Sequence, residues 1–348
     1  MGGPIIRSVG MAVPRYLVQQ EELKAFAAML FEKRLDNLER LLSIFDNACI
    51  TTRHFAQPLE WYAVPHTFSE ANQLYEQIGF NLAEEASRQA LERAGVAPRN
   101  ISAVILVSST GIATPTLDAK LIQALGLSAH AARVPLWGLG CGGGVAGLAR
   151  ASELVTAVPD RSVLLVAVEL CSLTFQRNDF SKSNLVGAGI FADGAAAVVL
   201  TADGEGPELL GSYSTLFADT EDIMGWDVVE SGLKVRFSRD IPTIVRRYLP
   251  NLLTQACERW GVDQGDLRHF VAHPGGAKVI EAYADCLRLP AEKFTTAYDI
   301  LNNYGNMSSA SVLFVLDQLL RSEPYHGDYG VMLALGPGFS ADQVLFRW

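Results

Sequence analysis

VPLWGLGCGGGVAGLAR, at residues 134–150, decides the fold, because it places a cysteine inside a glycine-rich turn between two regular elements. Its apolar first part is typical of a strand or its exit, and a helical apolar pattern begins at Val145. Glycine lets the backbone bend sharply and lets a ligand approach closely. The unpaired N–H groups at a helix start carry partial positive charge and favour a thiolate. The stretch therefore predicts that Cys141 is a nucleophile, against the common alternative of a buried structural cysteine.

The composition is that of a globular protein with a large core. Of the 348 residues, 49% are hydrophobic and 19% are charged, and the net charge is −10. This length allows one large domain or two of ordinary size. Nucleic-acid binding needs a clustered positive face, so this composition argues against nucleic acid as a partner.

The cysteines and the apolar runs indicate a reduced, cytoplasmic protein. Five cysteines, an odd number without a CxxC pair, argue against a disulfide framework or a structural zinc site. No run approaches the ~20 apolar residues of a membrane span, and the first residues lack an apolar secretory segment. We therefore expect no membrane span and no metal site.

Strands and helices alternate along most of the chain, which indicates an α/β fold. Strands are predicted at 5–13, 101–108, 134–139, 163–169, 195–200, 269–273, 330–335 and 343–346. Helices are predicted at 20–46, 69–94, 116–125, 143–157, 241–260, 277–287 and 307–320. Residues 47–68 are irregular and polar-aromatic, and we expect a surface loop there.

The two halves of the chain repeat one order of elements. Ser109, at a strand end, precedes Cys141 by 32 residues, and His273 precedes Asn306 by 33. In both halves a glycine, a polar residue and then small residues open a helix. The repeat predicts two duplicated α/β halves, 1–205 and 206–348, that place Cys141 and Asn306 in related positions. The site is then expected between the halves, at the ends of central strands.

Three residues at these positions form a plausible catalytic set. A thiol with a pKa of about 8.5 needs a cationic or basic neighbour, which His273 can supply as an imidazolium or a base. Asn306, with the imidazole, can donate hydrogen bonds to a developing oxyanion. Taken alone, His273 is typical of a turn histidine and Asn306 of a helix N-cap. Their matched spacing favours a common site with Cys141.

A dinucleotide-binding motif is the competing interpretation of the same stretch. Residues 138–143 satisfy GxGxxG, and Glu169 ends the next strand, as an acidic residue that binds ribose would. The motif lies far into the chain and contains a cysteine, and it leaves His273 and the second half unexplained. We therefore set it aside.

Beyond these patterns, the sequence resembles the type III polyketide synthases, the chalcone synthase-like enzymes of the thiolase superfamily. The resemblance covers essentially the whole chain. The segments that carry it are WGLGCGGGVAGLARA at 137–151, ELCSLTF at 169–175, FADGAA at 191–196, VAHPGG at 271–276, NNYGNMSSASVLFVLD at 302–317 and LALGPGFSAD at 333–342. HPGG together with GNMSSA separates this family from the related ketoacyl-ACP synthase III enzymes.

The resemblance implies a thiolase fold, a five-layered αβαβα homodimer. It implies that Cys141 accepts an acyl group from a starter CoA thioester, with His273 maintaining the thiolate. His273 and Asn306 would stabilise the enolate that forms when malonyl-CoA loses CO₂, and this enolate attacks the acyl group on Cys141. Acyl-CoA and malonyl-CoA are then the substrates, and no metal or redox cofactor is expected.

Further positions match substrate-binding residues of the family one at a time. Phe191 matches an aromatic gatekeeper between the CoA tunnel and the inner cavity. Thr114 matches a residue that crosses the dimer interface and walls the cavity of the second subunit. Arg53 matches part of a basic patch that binds CoA phosphates. The remaining matches are cavity positions and a late loop: Ser109, Cys171, Thr174, Ser308, Gly336, Pro337, Gly338 and Phe339.

The sequence departs from the family pattern at the cavity. The second gatekeeper phenylalanine falls on Val235, although a shift of two residues would place Phe237 there. Cys171 replaces a threonine that is common in the plant enzymes, and Thr114 stands where those enzymes have methionine. Smaller and more apolar walls favour a longer tunnel for an aliphatic acyl starter, with neutral variation of cavity shape as the alternative.

The expected function is therefore a bacterial-type type III polyketide synthase that extends a fatty acyl-CoA to alkylpyrones or alkylresorcinols. One alternative is a synthase that condenses malonyl-CoA alone to an aromatic of the tetrahydroxynaphthalene type. Another is a single-round ketoacyl synthase that uses an acyl carrier protein. A non-enzymatic binding protein of thiolase fold is the third.

Overall fold

The computed structural model describes residues 2–32, 38–158, 162–238, 240–322 and 325–348. The strands are β1 Ile5–Ala12, β2 Tyr16–Gln19, β3 Thr52–Phe55, β4 Ile101–Val107, β5 Ala132–Leu136, β6 Ser162–Leu170, β7 Asp193–Thr201, β8 Glu208–Leu216, β9 Met224–Val229, β10 Gly232–Phe237, β11 Leu267–Ala272, β12 Tyr329–Gly336 and β13 Ser340–Arg347. The helices are α1 Gln20–Phe31, α2 Leu38–Asp46, α3 Leu59–Tyr62, α4 Phe68–Ala94, α5 Leu117–Ala124, α6 Gly143–Ala157, α7 Lys182–Ile190, α8 Ile241–Trp260, α9 Ala277–Leu287, α10 Thr295–Tyr304 and α11 Ser311–Leu320.

One nine-stranded sheet contains both halves, in the order β11-β12-β13-β8-β1-β7-β6-β4-β5. In the first half β4 runs parallel to β5 and β6, and β7 is antiparallel to β6 and β1. The second half repeats this pattern, since β11 and β12 are parallel and β13 is antiparallel to β12 and β8. Among the described residues, the second half lacks only a strand equivalent to β5. The shared order confirms the predicted duplication, and within the sheet β1 and β8 pair at Ile5 and Glu208.

Alternate side chains of the strands pack against helices on two sides, which produces five layers. Val104 and Leu106 of β4 lie in the core beneath α4 and α5. Ile105 and Val107 face the opposite way and pack against α6. In the second half, α8 and α9 pack on the outer face of the sheet, and α6 and α11 fill the space between the halves. The predicted αβαβα layering is confirmed.

The two central helices, α6 and α11, begin between the halves, and glycines let them pack closely against each other. A Cβ on Gly144 of α6 would lie 2.3 Å from the carbonyl oxygen of Ser309 and 2.6 Å from Val312 Cγ1. A Cβ on Gly143 would lie 2.5 Å from Val107 Cγ1. Any larger residue at these positions would push α6 away from α11 and β4, so the glycine-rich sequence after Cys141 is a packing requirement as well as a turn.

Helix ends follow their local sequence. Thr67 and Glu70 form a reciprocal capping box at the start of α4, and Gly95 ends that helix with a φ of 64°. Gly261 ends α8 in the same way, with a φ of 70°. No helix among the described residues is long and apolar enough to cross a membrane.

Two sequence predictions need correction. The single helix expected at 20–46 appears as α1 and α2, and residues 33–37 between them lie outside the described residues. The surface loop expected at 47–68 contains β3 and α3, and it buries Arg53, Phe55 and Tyr62. This segment is buried because β3 pairs with β2, and Phe55 and Tyr62 join the small apolar core of α1 and α2.

Candidate active site

The three predicted catalytic residues meet at one cavity between the halves. Cys141 lies in a single 3-10 turn, Gly140–Gly142, that leads into α6. Asn306 lies just before the equivalent turn, Ser308–Ala310, that leads into α11. His273 directly follows β11. All three line a cavity of about 610 Å³.

Cys141 is buried at the inner end of this cavity and is only 6% exposed. Burial raises the pKa of its thiol to about 11, and the charge of Glu169 acts in the same direction. Hydrogen bonds with Ser308 and Asn306 oppose the rise. The position at a helix start therefore does not by itself produce a thiolate, and the thiol needs a base.

His273 can be that base. It is buried, and burial lowers the pKa of its imidazole to about 3, so the ring is neutral in the free enzyme. Neither Nδ1 nor Nε2 has a hydrogen-bond partner among the described residues. Burial thus favours a neutral thiol and a neutral imidazole in the same cavity.

Asn306 is held in one orientation by its neighbours. The Ser308 backbone N–H donates to Asn306 Oδ1 over 2.8 Å, and Asn306 Nδ2 donates to the Gly275 carbonyl over 3.1 Å. Its backbone N–H donates to Ile190, and its carbonyl accepts from Ala192. An amide nitrogen carries two N–H groups, so the second can donate to Cys141, whose thiol pKa Asn306 lowers, or to a ligand in the cavity.

Glu169 is a buried carboxyl that the sequence prediction considered only in the rejected dinucleotide motif. Its oxygens accept hydrogen bonds from the Ser109 backbone, Thr110 Oγ1 and Ser309 Oγ over 2.6–2.9 Å. Burial raises its pKa to about 7. Glu169 therefore ties the loop after β4 to the turn before α11. A carboxyl at the end of an otherwise apolar strand next to a predicted site was the available signal.

Phe191 and Phe237, called the aromatic gate below, pack together and line two different cavities. Phe191 packs against Phe237 with ring centroids 5.4 Å apart and against Trp226 at 6.0 Å. Phe237 lines the cavity of Cys141, whereas Val235 lines a second cavity and packs with Cys171 and Phe191. The two residues considered for the second gatekeeper thus occupy different sides of the gate. Phe237 supplies the aromatic ring beside Phe191, although the sequence match placed the second gatekeeper on Val235.

The second cavity is enclosed by apolar side chains and has a volume of about 50 Å³. Cys171, Thr174, Phe191 and Val235, all predicted as substrate-binding, contribute to its wall. α1 contributes five further wall residues, Leu23, Phe26, Ala27, Leu30 and Phe31.

The other predicted cavity residues lie around the site rather than in the walls of these two cavities. Ser109 is buried, and its Oγ accepts a hydrogen bond from the Gly140 backbone over 3.0 Å. Ser308 hydrogen bonds with Cys141 and has a φ of 49°. Thr114 is exposed in the loop after β4.

The late loop 336–339 supports the Cys141 turn from behind. A Cβ on Gly140 would lie 2.8 Å from Pro337, and one on Gly336 would lie 2.6 Å from the Leu139 carbonyl. Gly338 has a φ of 127°, and Phe339 is buried against Phe217 with ring centroids 5.9 Å apart. The loop therefore fixes the position of the turn that carries Cys141.

The prediction that Arg53 binds CoA phosphates is wrong. Arg53 is fully buried, and its guanidinium donates to the Ala188, Gly189 and Phe191 carbonyls over 2.7–2.9 Å and to the Gln20 side chain. Burial lowers its pKa to about 9, opposed by the charge of Asp193. It fixes the end of α7, where the gate begins. The exposed cations of the large cavity are instead Arg40, Lys182 and Lys278, which the sequence prediction missed.

The described residues contain no group of three or more His, Cys, Asp or Glu side chains that could hold a metal ion. The absence of a metal or redox cofactor from the reaction stays a prediction.

Comparison with known proteins follows the same division into halves. Residues 1–204 match the family description "Chalcone and stilbene synthases, N-terminal domain", and residues 208–348 match the corresponding C-terminal domain. A Bacillus subtilis protein called "Putative chalcone synthase" is 41% identical, over 99% of this chain and 98% of that protein. The 1,3,6,8-tetrahydroxynaphthalene synthase of Streptomyces peucetius is 39% identical, over 99% of this chain and 93% of that protein. The crystal structure of the corresponding Streptomyces coelicolor enzyme, a bacterial type III polyketide synthase, superposes with a TM-score of 0.95 at 29% identity, over 99% of both chains.

Proposed function

Because this chain belongs to the chalcone and stilbene synthase family of type III polyketide synthases, which are acyltransferases, we propose that it extends a fatty acyl-CoA starter with malonyl-CoA. The starter is carried as a thioester on Cys141, extended repeatedly, and cyclised to an alkylpyrone or alkylresorcinol. The CoA thioesters are the substrates, and the reaction uses no metal or redox cofactor.

Loading begins with the neutral Cys141 and His273 pair. His273 takes the thiol proton, the Cys141 sulfur attacks the thioester carbonyl, and the CoA sulfur leaves with the proton from the imidazole. The acyl group is then bound to Cys141, and His273 is neutral again. Burial disfavours a standing thiolate and imidazolium, so the proton transfer accompanies the attack on the thioester carbonyl.

Extension uses the donors of the second half. Malonyl-CoA loses CO₂, and the electron pair of the broken bond forms the enolate of acetyl-CoA. Once Cys141 is acylated, the second N–H of Asn306 and an N–H of neutral His273 donate to the enolate oxygen. The enolate carbon attacks the acyl carbonyl, a carbon–carbon bond forms, and the Cys141 sulfur leaves as the thiolate. The β-ketoacyl-CoA product can reload Cys141 for the next extension.

The mouth of the large cavity suits the phosphates of CoA. Arg40, Lys182 and Lys278 line it from α2, α7 and α9, and all three are exposed. The whole chain carries a net charge of −10, so this group is a local exception. Cations at the outer end and Cys141 at the inner end match a ligand with phosphates at one end and a thioester at the other.

The apolar second cavity is the observation that carries the proposal of a fatty starter. It lies directly behind the gate formed by Phe191 and Phe237, and its walls are mainly apolar side chains. Its volume of about 50 Å³ is below the ~300–1,000 Å³ of typical ligand pockets. An acyl chain entering it would therefore displace side chains of α1, such as Phe26 and Leu30.

We further propose that the protein acts as a homodimer that forms along β5. This strand is the last of the sheet, and no strand of the described residues pairs with its outer edge. Nearby, the large apolar side chains of Trp137 and Ile112 are 52% and 45% exposed, and a second subunit on this edge would cover them. Thr114 lies in the same exposed loop, where it could wall the cavity of the second subunit.

A synthase that uses malonyl-CoA alone is the second candidate. The similarity to two tetrahydroxynaphthalene synthases favours it, as does the small volume behind the gate. It needs the same Cys141, His273 and Asn306 chemistry and differs only in the starter.

One experiment separates the candidates. Purified protein is incubated with malonyl-CoA, with and without acyl-CoAs of graded chain length, and the products are identified by mass spectrometry. We expect products whose masses increase with the starter and that are absent when malonyl-CoA is given alone. An aromatic product from malonyl-CoA alone would overturn the fatty-starter proposal. Turnover only with acyl carrier protein would indicate a ketoacyl synthase, and Cys141→Ala is the control that should lose acylation.

A further inference from the structure

Tyr283 is a buried polar residue in the large cavity that the proposed chemistry does not use. It lies on α9 and lines the same cavity as Cys141, His273 and Asn306. Its side chain is fully buried, and its hydroxyl has no hydrogen-bond partner among the described residues. The ring packs against Phe294 with centroids 6.1 Å apart, which accounts for the ring but not for the hydroxyl.

A buried hydroxyl without a partner destabilises the folded state, and such groups in native proteins call for an explanation. A phenylalanine would keep the packing on Phe294 without this penalty. Burial and the charge of Cys141 raise the pKa of Tyr283, so the phenol stays protonated and can donate a hydrogen bond at any physiological pH. The group is suited to a ligand that brings an acceptor oxygen into the cavity.

The position of Tyr283 in the cavity limits which acceptor oxygen of a ligand it can reach. The phosphate-binding end of the cavity carries Arg40, Lys182 and Lys278, which are exposed. Tyr283 is fully buried, so it belongs to the buried end of the cavity, which also holds Cys141. A CoA thioester that reaches from the cations to Cys141 brings its thioester carbonyl to this end.

We propose that the Tyr283 hydroxyl donates a hydrogen bond to the thioester carbonyl oxygen of malonyl-CoA, as a third donor beside His273 and Asn306. The inference rests on the proposed use of CoA thioesters but not on the identity of the starter. Because negative charge builds on this oxygen as CO₂ leaves, the hydrogen bond is stronger in the transition state than in the bound substrate, so it raises kcat more than it lowers KM.

The test is Tyr283→Phe, which removes one oxygen and keeps the ring. The rate of CO₂ release from malonyl-CoA is measured without any starter, and kcat and KM are determined separately. We expect kcat to fall about 10- to 100-fold while KM changes less than about twofold. The melting temperature should stay the same or rise, because an unpaired buried hydroxyl is removed. Tyr298→Phe, on α10 outside the cavity wall, is the matched control and should leave all three quantities unchanged.

The possible results separate this inference from the proposed function. An unchanged kcat in Tyr283→Phe, or a higher KM at an unchanged kcat, would overturn the assignment of Tyr283 to the thioester carbonyl. A lower kcat together with a lower melting temperature would indicate a structural role and would also overturn it. Wild-type protein that neither releases CO₂ from malonyl-CoA nor becomes acylated on Cys141 would overturn the proposed function, and this inference with it.

Discussion

The turn before α6 and the turn before α11 share one backbone geometry but present different side chains to the cavity. Each begins at a glycine with a positive φ, Gly140 at 47° and Gly305 at 71°, and each leads through a 3-10 turn into a central helix. The first turn presents Cys141, and the second presents Asn306. The duplicated halves thus bring two different polar groups to one seam.

The surroundings of the two turns differ more than the turns themselves. In the first half the polar groups are partnered, since Ser109 accepts from Gly140 and Glu169 accepts from three donors. In the second half His273 and Tyr283 reach the cavity without partners among the described residues. The first half therefore fixes the nucleophile, and the second half supplies groups for the substrate. Substitutions of the first-half groups that support Cys141 should cost stability, and substitutions of the unpartnered groups of the second half should cost activity.

The largest effect is expected from His273→Ala. It removes both the base for Cys141 and a donor to the enolate, so condensation should fall about 10³-fold or more. Because the two ring nitrogens have no partners, the free energy of unfolding should change by less than about 1 kcal/mol. Activity is measured with saturating malonyl-CoA, and stability by urea denaturation. A strongly destabilised variant would contradict the assignment of His273 to substrate chemistry alone.

The pH dependence of the free energy of unfolding tests the structural role of Glu169 in the first half. Burial raises its pKa from 4.5 to about 7, so the folded state holds this proton more tightly than the unfolded state does. Its contribution is complete below the unfolded pKa and is lost as the pH rises through about 7. The free energy of unfolding should therefore fall across this window by about 3 kcal/mol on account of Glu169.

Glu169→Gln isolates that contribution, because glutamine does not titrate. Denaturation at about pH 5 and about pH 8 should show a shallower loss of stability in the variant than in the wild type. Asp193, whose pKa burial also raises to about 7, titrates in both proteins and cancels in the difference. Equal pH dependence of the two proteins would contradict a raised pKa at Glu169.

Lys278→Glu tests the outer end of the cavity, where we propose that the phosphates of CoA bind. Reversing this charge should raise the KM for malonyl-CoA about tenfold at low salt and leave kcat within about twofold. The effect should shrink as salt is added, because exposed charges are screened. Lys120→Glu, on α5 away from the cavity, is the matched control. A fall in kcat without a change in KM would place Lys278 in a different role.

The sequence was sufficient to predict the strands that are buried along their whole length. β4, β6 and β7 are almost entirely buried, and their apolar runs predicted them. The half-exposed β8 and the hairpin β9–β10 were missed, because their mixed burial leaves neither an apolar run nor a regular alternation. Matched spacing was enough to bring Cys141, His273 and Asn306 together.

Contacts between distant segments decided the features that the sequence could not predict. ITTRHF shows that Arg53 is charged but not that three carbonyls around the end of α7, more than 130 residues away, surround it. The cations of the cavity mouth come from three separate helices, and each appears alone in the sequence as a solvated side chain. The unpartnered hydroxyl of Tyr283 becomes apparent only when every possible neighbour is in place.

The smallest effect is expected from Ser109, which the sequence assigned to the cavity wall and the structure places behind Cys141. Ser109→Ala leaves the buried Gly140 N–H without an acceptor, so the free energy of unfolding should fall by about 1–3 kcal/mol. Activity should fall less than about tenfold, because the Cys141 turn is still held by Pro337 and Gly336. Ser109→Thr keeps the oxygen and should restore most of the stability. A changed product pattern in Ser109→Ala without loss of stability would return this residue to the substrate wall and break the division between a supporting first half and a substrate-binding second half.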